Sequence, residues 1–351
     1  MKSNRLLCFL FLAFLVSSCV DEINLNLSKE LNPVLVVDAW IGPEIGQSYV
    51  QVFSSGAYVS GSVDNGTVPI DLSEVFLERE DGRKIPFQRQ WDGKYYPYEE
   101  INPKEGESFR LIFQTAEGER FESSWEKFPP SVQLEEMTAN ALERLVLVSS
   151  PSGNILQTRT FAEVSVDFQD PGKGKLGYLS ATTGISELYT MSNFENCLCT
   201  CYRNEPSLFK GMNFQSNENF NGRKFQKKVG EIPLSSFGRF YVVTSMQVLN
   251  EFGRNYFEQV SIQQRNTGSI FDPAPFRIKG NIRKTNGESE IVLGGLFLYQ
   301  ETTFNKMFSR SEIRRQSLSL NHYLEPLVSV AFSCNEYFTD ASPFKPSPFL
   351  P

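Results

Sequence analysis

From residue 34 onward the hydrophobic pattern is interrupted roughly every 8–12 residues, and that punctuation restricts the chain to a fold of short strands. VLVVDAWI (residues 34–41) ends at Gly42-Pro43, and SYVQVF (residues 48–53) alternates apolar with polar side chains. Residues 75–77 run into the turn pair Asp81-Gly82, Asp92-Gly93 precedes Tyr95-Tyr96, and SFRLIFQT (residues 108–115) meets Glu117-Gly118. A period of two marks a half-buried strand, and glycine in the turn pair supplies the positive φ that a tight hairpin demands. Six or seven such strands before Pro129-Pro130 predict an immunoglobulin-like β-sandwich over residues 31–130. Phe 30 and Tyr 13 against Trp 3 fit a strand-built core, because aromatic side chains favour pleated, half-buried surfaces.

The remainder reads as a larger β-rich domain, residues 131–351, with one or two helices. Strand patterns occur at residues 145–148, 161–168 (FAEVSVDF), 176–181, 185–191 and 240–249, and again at 297–299, 317–320 and 327–334. Residues 204–228, rich in Asn, Gln and Lys, read as a long polar excursion. Asn250 is placed to cap a helix over residues 251–264, where Phe252, Tyr256, Phe257 and Val260 recur at helical spacing. That aromatic stripe is read as core packing. The Pro-rich tail, residues 342–351, is expected to lie extended over the surface. The fold class is thus mainly β, and 351 residues agree with two domains.

The first residues carry a different signal. Lys2 and Arg5 precede the apolar run 6–16, and Ser17-Ser18-Cys19 closes it. A basic start, a short apolar run and small residues at a cut form a secretory leader, and the run is shorter than the roughly 20 residues that span a bilayer. The cysteine at the cut makes residues 1–18 resemble a bacterial lipoprotein leader, with Cys19 as the lipidation site and residues 19–30 as a tether. Two or more acyl chains such as palmitate suffice for stable anchoring where one does not. Asp21 and Glu22, one residue beyond Cys19, resemble a surface-export signal, so the expected location is the outer membrane, facing the cell surface. Loss of Lys2 and Arg5 takes the net charge from −7 to −9, which argues against nucleic acid and against electrostatic adhesion to anionic lipid.

With Cys8 removed and Cys19 modified, Cys197, Cys199, Cys201 and Cys334 remain as disulfide candidates. On a strand, cysteines two apart sit at or beyond the disulfide limit. Cys334 is therefore expected to pair with one of the three, and the other two pair only if their segment bends. The thiolate-metal alternative is disfavoured, because zinc wants two to four intervening residues and Cys197-Leu-Cys-Thr-Cys has one. His322 is the single histidine and is read as structural, since no Ser or Cys elbow accompanies it. Gly172-Lys-Gly-Lys lacks the strand-to-helix context of a phosphate loop, and Asn65-Gly-Thr reads as a turn. Glu99-Glu100 and Glu135-Glu136 would point opposite ways on a strand, so no carboxylate pair is singled out for glycosidase chemistry. The reading is a non-enzyme with no metal and no cofactor.

Cys19-Val-Asp-Glu-Ile-Asn-Leu leading into Leu35-Val-Val-Asp-Ala-Trp-Ile resembles the opening of the DUF4249 lipoprotein family of Bacteroidota. Gly106-Glu-Ser-Phe-Arg-Leu, Asp167-Phe-Gln-Asp-Pro, Phe271-Asp-Pro-Ala-Pro-Phe-Arg-Ile, Leu293-Gly-Gly-Leu-Phe and Phe344-Lys-Pro-Ser-Pro-Phe extend the likeness over nearly the whole mature chain. It departs in the closing region, where Cys334 stands without a second cysteine. The resemblance brings no catalytic residue. It implies an outer-membrane lipoprotein that partners a TonB-dependent β-barrel transporter as a non-catalytic, ligand-binding accessory. The alternative is a structural or assembly lipoprotein with no small ligand. Residues 54–66 and 193–221 are the first candidates for contact loops, and both also read as plain surface loops.

Overall fold

A computed structural model describes residues 34–44, 46–55, 67–150, 153–207, 212–234, 238–265, 276–286, 291–309, 313 and 327–350. The leader, Cys19, Asn65, His322, the strand expected at 317–320 and most of residues 54–66 lie outside the described residues. The fold is mainly β. Strands β1 (Leu35–Ile41), β2 (Tyr49–Ser55), β3 (Thr67–Pro69), β4 (Leu72–Arg79), β5 (Lys84–Arg89), β6 (Tyr95–Pro97), β7 (Ser108–Thr115), β8 (Arg120–Ser123) and β9 (Glu126–Lys127) come first. Then follow β10 (Leu134–Ser150), β11 (Gly153–Gln169), β12 (Gly177–Tyr189), β13 (Thr200–Pro206), β14 (Phe214–Ser216), β15 (Lys224–Pro233) and β16 (Arg239–Leu249). Helix α1 (Glu251–Arg265), β17 (Ile282–Lys284) and β18 (Val292–Ser309) complete the order.

Strand β1 shows how the pattern becomes structure. Leu35, Val37, Ala39 and Ile41 point into a closed core, while Val36, Asp38 and Trp40 face the other way. The run is therefore an alternating strand whose second face is covered by a helix. β1 pairs antiparallel with β2 and parallel with β18, through Leu35↔Val292 to Ile41↔Leu298. The sheet continues β2-β6-β5-β4-β7-β8-β17 and folds over a core that includes Val50, Leu77, Phe109, Phe113 and Phe121. Ile282, Val292, Leu296 and Leu298 belong to the same core, so residues from both halves of the chain build it.

The second sandwich faces β10-β11-β15 with β13-β12-β16-β18 across a core of Val164, Val166, Phe168, Tyr178, Phe240, Val242 and Met246. Tyr178 and Phe168 meet with ring centroids 4.8 Å apart. β18 serves both sandwiches: past Leu298 it leaves β1 and pairs with β16, from Leu249↔Tyr299 to Arg239↔Ser309. Residues 176–181 and 185–191, expected as separate strands, are largely one strand, β12. The excursion at 204–228 supplies β14 and the start of β15 rather than a free loop.

Helix α1 matches its expectation within a residue, and the Gly253 amide donates to Asn250 Oδ1 at 3.0 Å. Such a cap satisfies one of the orphan amides of a helix start. Phe252, Tyr256 and Phe257 pack on Phe297 at 5.4, 5.0 and 5.1 Å between centroids, and Phe257 also meets Trp40 at 5.6 Å. The stripe is therefore packing against the outer face of β1 and β18.

The closing segment is not the strand expected at 327–334. It meets the body through isolated bridges, Met191↔Ser329 and Leu198↔Ser333, and through Cys201–Cys334, whose Cα atoms lie 5.7 Å apart. Cys197 and Cys199 pair across a bend, with Cα atoms 5.1 Å apart. Phe349 of the tail is buried against Tyr202 rather than laid on the surface, with centroids 5.0 Å apart.

Two outcomes follow from this construction. The Cys201–Cys334 link spans a sequence separation of 133, so replacing both by Ser lowers unfolding stability by roughly 5 kcal/mol in the chain-entropy account. Removing Cys197–Cys199, at a separation of 2, costs about a third of that, and urea midpoints of the two double variants give the order directly. Gly294 sits at φ 74, where an added Cβ would run into the Val37 carbonyl oxygen of the paired strand. Gly294→Ala therefore destabilises by at least about 2 kcal/mol, read from the same urea curves.

Candidate functional site

One end of the first sandwich carries a cleft of about 350 Å³. Its first wall is the turn from β1 into β2, where Gly42-Pro43 stops the strand and Ser48 restarts it. Glycine is needed at 42, because a Cβ there would lie 2.7 Å from the Tyr299 ring. Ser48 Oγ accepts the Gly42 amide at 3.1 Å, and Tyr299 donates its hydroxyl to the Gln47 carbonyl at 3.0 Å. The second wall is Tyr96 of β6 and the irregular stretch that follows the strand, with Tyr98, Glu99, Glu100 and Asn102. The Tyr98 amide donates to the Pro86 carbonyl at 2.9 Å, and Asn102 takes φ 45, a left-handed conformation that Asn tolerates better than most residues.

Beside the cleft, Asp38 accepts the Trp40 indole N–H at 2.7 Å and the Tyr49 hydroxyl at 2.8 Å. Burial, then the Asp38 charge, holds the Tyr49 hydroxyl well above the usual tyrosine range. Burial, with Glu301 and Glu44 nearby, pushes Tyr299 up to about 12. Lys94 Nζ stands 3.9 Å from the centre of the Tyr49 ring. The arrangement offers rings, amide and carboxylate acceptors, and a negative field. Among its described residues no nucleophile stands beside a base.

The second feature is the far end of the β10–β11 hairpin. The inner face of that pair runs from Met137, Ala139 and Ala162 in the core past the opposing sheet, with Leu145, Leu147 and Leu156 exposed at 69, 65 and 69%. Arg144 and Arg159 are register partners directly behind this end, and Arg144 Nη2 donates to Glu231 Oε1 at 2.6 Å. At the root of the exposed face Glu143 Oε1 and Thr160 Oγ1 are buried without a hydrogen-bond partner.

The residues singled out from sequence fall in other places. The four cysteines form two disulfides, and both lie away from the cleft. Asn217, from the excursion at 193–221, faces inward and donates from Nδ2 to Asp170 Oδ2 at 3.1 Å. Asp170 also accepts the Tyr178 hydroxyl at 2.5 Å and the Gly172 and Gly222 amides at 2.8 and 2.7 Å, so this polar cluster is satisfied architecture. Phe194 of the same excursion stacks on Phe332 at 5.0 Å. Glu99-Glu100, set aside as a catalytic pair, line the cleft. The available signal was Tyr96-Pro-Tyr-Glu-Glu-Ile-Asn-Pro itself, an aromatic and acidic stretch with prolines that forbid a long strand.

Lys227 is a further buried group that sequence did not reveal. It is 3% exposed on β15, and among the described residues its Nζ meets the Asn213 carbonyl, at 3.1 Å, and Asn213 Oδ1. Burial pushes its amine down to about 7.

The chain belongs to the DUF4249 family, described as a domain of unknown function, with residues 20–305 matched. No curated protein and no solved structure matches it.

Lys227 gives a pH dependence with a defined sign. From about pH 7 upward the native amine is neutral, while the unfolded chain keeps its proton to about 10.5, so stability rises with pH across that window. Against Lys227→Met, the wild type therefore gains in urea midpoint between pH 7 and pH 10, and parallel curves for the two would remove the depressed amine.

Proposed function

We propose that this DUF4249 member is a cell-envelope lipoprotein of a Bacteroidota outer membrane, acting as a non-catalytic, ligand-binding accessory of a TonB-dependent transporter. Acyl chains on Cys19 hold it at the membrane, and the acidic Asp21-Glu22 tether turns the body toward the cell surface. The leader pattern supports the anchoring.

The observation that carries the partner is the exposed apolar end of the β10–β11 hairpin. Contiguous exposed apolar surface rimmed by charge marks an interaction site. Leu145, Leu147 and Leu156 give such a surface, with Arg144 and Arg159 behind it. Burial in lipid is the poorer use for it. A two-stranded ribbon has open edges, and hydrocarbon leaves their N–H and C=O groups unsatisfied. A protein wall with loops or strand edges of its own satisfies them. A β-barrel receptor in the same membrane offers that wall, and the cleft then holds a ligand on the outer side of the junction.

Two measurements test the reading. Cys19→Ala releases the protein from the membrane fraction and removes the acyl mass from its N-terminal peptide. In a pull-down from mildly solubilised outer membranes the wild type brings down a TonB-dependent barrel. The triple variant Leu145→Ser, Leu147→Ser, Leu156→Ser brings down at least about tenfold less, with an unchanged urea midpoint, since surface leucines contribute little to the fold itself. A wild type that captures no barrel overturns the accessory role.

A further inference from the structure

We propose that the cleft between residues 42–48 and 96–102 binds a small organic cation, its ammonium set over the Tyr98 ring and against the carboxylates of Glu44 and Glu100. This deepens the accessory reading by naming the class of ligand, and it rests on the chain handling a ligand rather than on the barrel partner.

Charge comes first. The carboxylates of the lining are Glu44, Glu99 and Glu100, with no Lys or Arg among the described lining residues. Arg83 Nη2 engages Glu99 Oε1 at 2.9 Å, and Asn102 Nδ2 donates to Glu100 Oε2 at 3.1 Å. That leaves one oxygen of Glu100 open. The Glu44 carboxylate has no partner among the described residues. An anion entering here meets repulsion, and a neutral guest makes no use of the field.

The rings supply the second half of the recognition. Tyr98 is 71% exposed, so its face is available to a guest. Tyr96 donates its hydroxyl to Asp92 Oδ2 at 2.8 Å, which fixes that ring in the wall. A cation within about 6 Å of a tyrosine face is attracted by the ring quadrupole, and more strongly when desolvated. A carboxylate beside the ring adds Coulomb attraction to the same charge.

Rigidity makes the pairing effective. Pro43 and Pro97 fix φ on the two walls, and the Tyr98 amide is tied to the Pro86 carbonyl. A wall already in its bound shape loses little entropy when the guest arrives. The cleft volume of about 350 Å³ lies at the lower end of small-molecule sites, which excludes a folded partner and suits an amine-bearing metabolite or a basic side chain.

The test is calorimetric titration of the full chain, purified in detergent, with choline, cadaverine, glucose and acetate. Choline and cadaverine bind, glucose and acetate do not, and high salt weakens the cations. Choline binding tighter than cadaverine assigns a quaternary ammonium, and the reverse assigns a primary amine. Glu44→Gln and Tyr98→Ala each weaken binding about three- to tenfold, while Tyr98→Phe retains it, because the ring rather than the hydroxyl meets the charge. Both positions are exposed, so their urea midpoints stay at the wild-type value. Binding of glucose with silent cations, or cation binding indifferent to both substitutions, overturns the proposal. Either result leaves barrel capture untouched, so the two readings fail separately.

Discussion

The backbone ladder along β18 is the constraint on which the two sandwiches depend. Its first seven residues complete a sheet begun by β1, and its last eleven complete a sheet begun by β16. A strand's hydrogen bonds must all go somewhere, and here one uninterrupted strand satisfies them on two bodies. Because β1 and β18 run parallel, nearly the whole chain must lie between them. The first core therefore draws on residues from both ends of that long connection.

The far side of this junction repeats the theme with side chains. The rings of Phe257 on α1 and of Phe297 and Tyr299 on β18 lie 4.9–5.6 Å, centre to centre, from that of Trp40 on β1. Glu126 on β9 accepts Asn250 Nδ2 at 2.8 Å and Asn281 Nδ2 at 2.9 Å, while Asn281 Oδ1 accepts the Leu296 amide at 2.9 Å. One carboxylate thus ties the helix cap to the β17 and β18 segments. Burial holds it above the usual carboxylate range, against the pull of the Asn281, Ser124 and Asn250 hydrogen bonds. The charged form is strained by that environment, and the group resists ionising in the native state. Acid relieves the strain, so this node is firmer on the acidic side of its titration.

Strand alternation and turn pairs are local, which is why β1, β2, β7, β16 and α1 were legible within a few residues. Register across long separations is not local. Nothing in LVVDAWI marks Val292 as the partner of Leu35, so the shared strand was invisible. The closing segment misled for the opposite reason. Residues 327–334 have a strand's composition, but their backbone meets the body through isolated bridges rather than a ladder, alongside the Cys201–Cys334 disulfide and the Phe194–Phe332 contact. The bend at Cys197–Cys199 followed from geometry, since two cysteines separated by a single residue bond only where the chain departs from a flat strand. The cleft was missed because its walls come from two segments about fifty residues apart, 42–48 and 96–102, and neither is distinctive alone.

The same strand fixes how cleft and hairpin relate. Tyr299 and Glu301 of β18 hold Gln47 at the cleft, through the Gln47 carbonyl at 3.0 Å and Nε2 at 3.2 Å. A few residues on, Thr302 donates to the Val132 carbonyl at 3.0 Å and Lys306 to the Met137 carbonyl at 2.7 Å, at the root of β10. A strand anchored by ladder bonds and side chains at such short intervals is a poor hinge. Coupling between sites requires an element with two discrete arrangements, and β18 is built to have one. The architecture therefore favours a bracket over a switch. It ties the wall of the cleft and the root of the β10–β11 hairpin to one continuous strand.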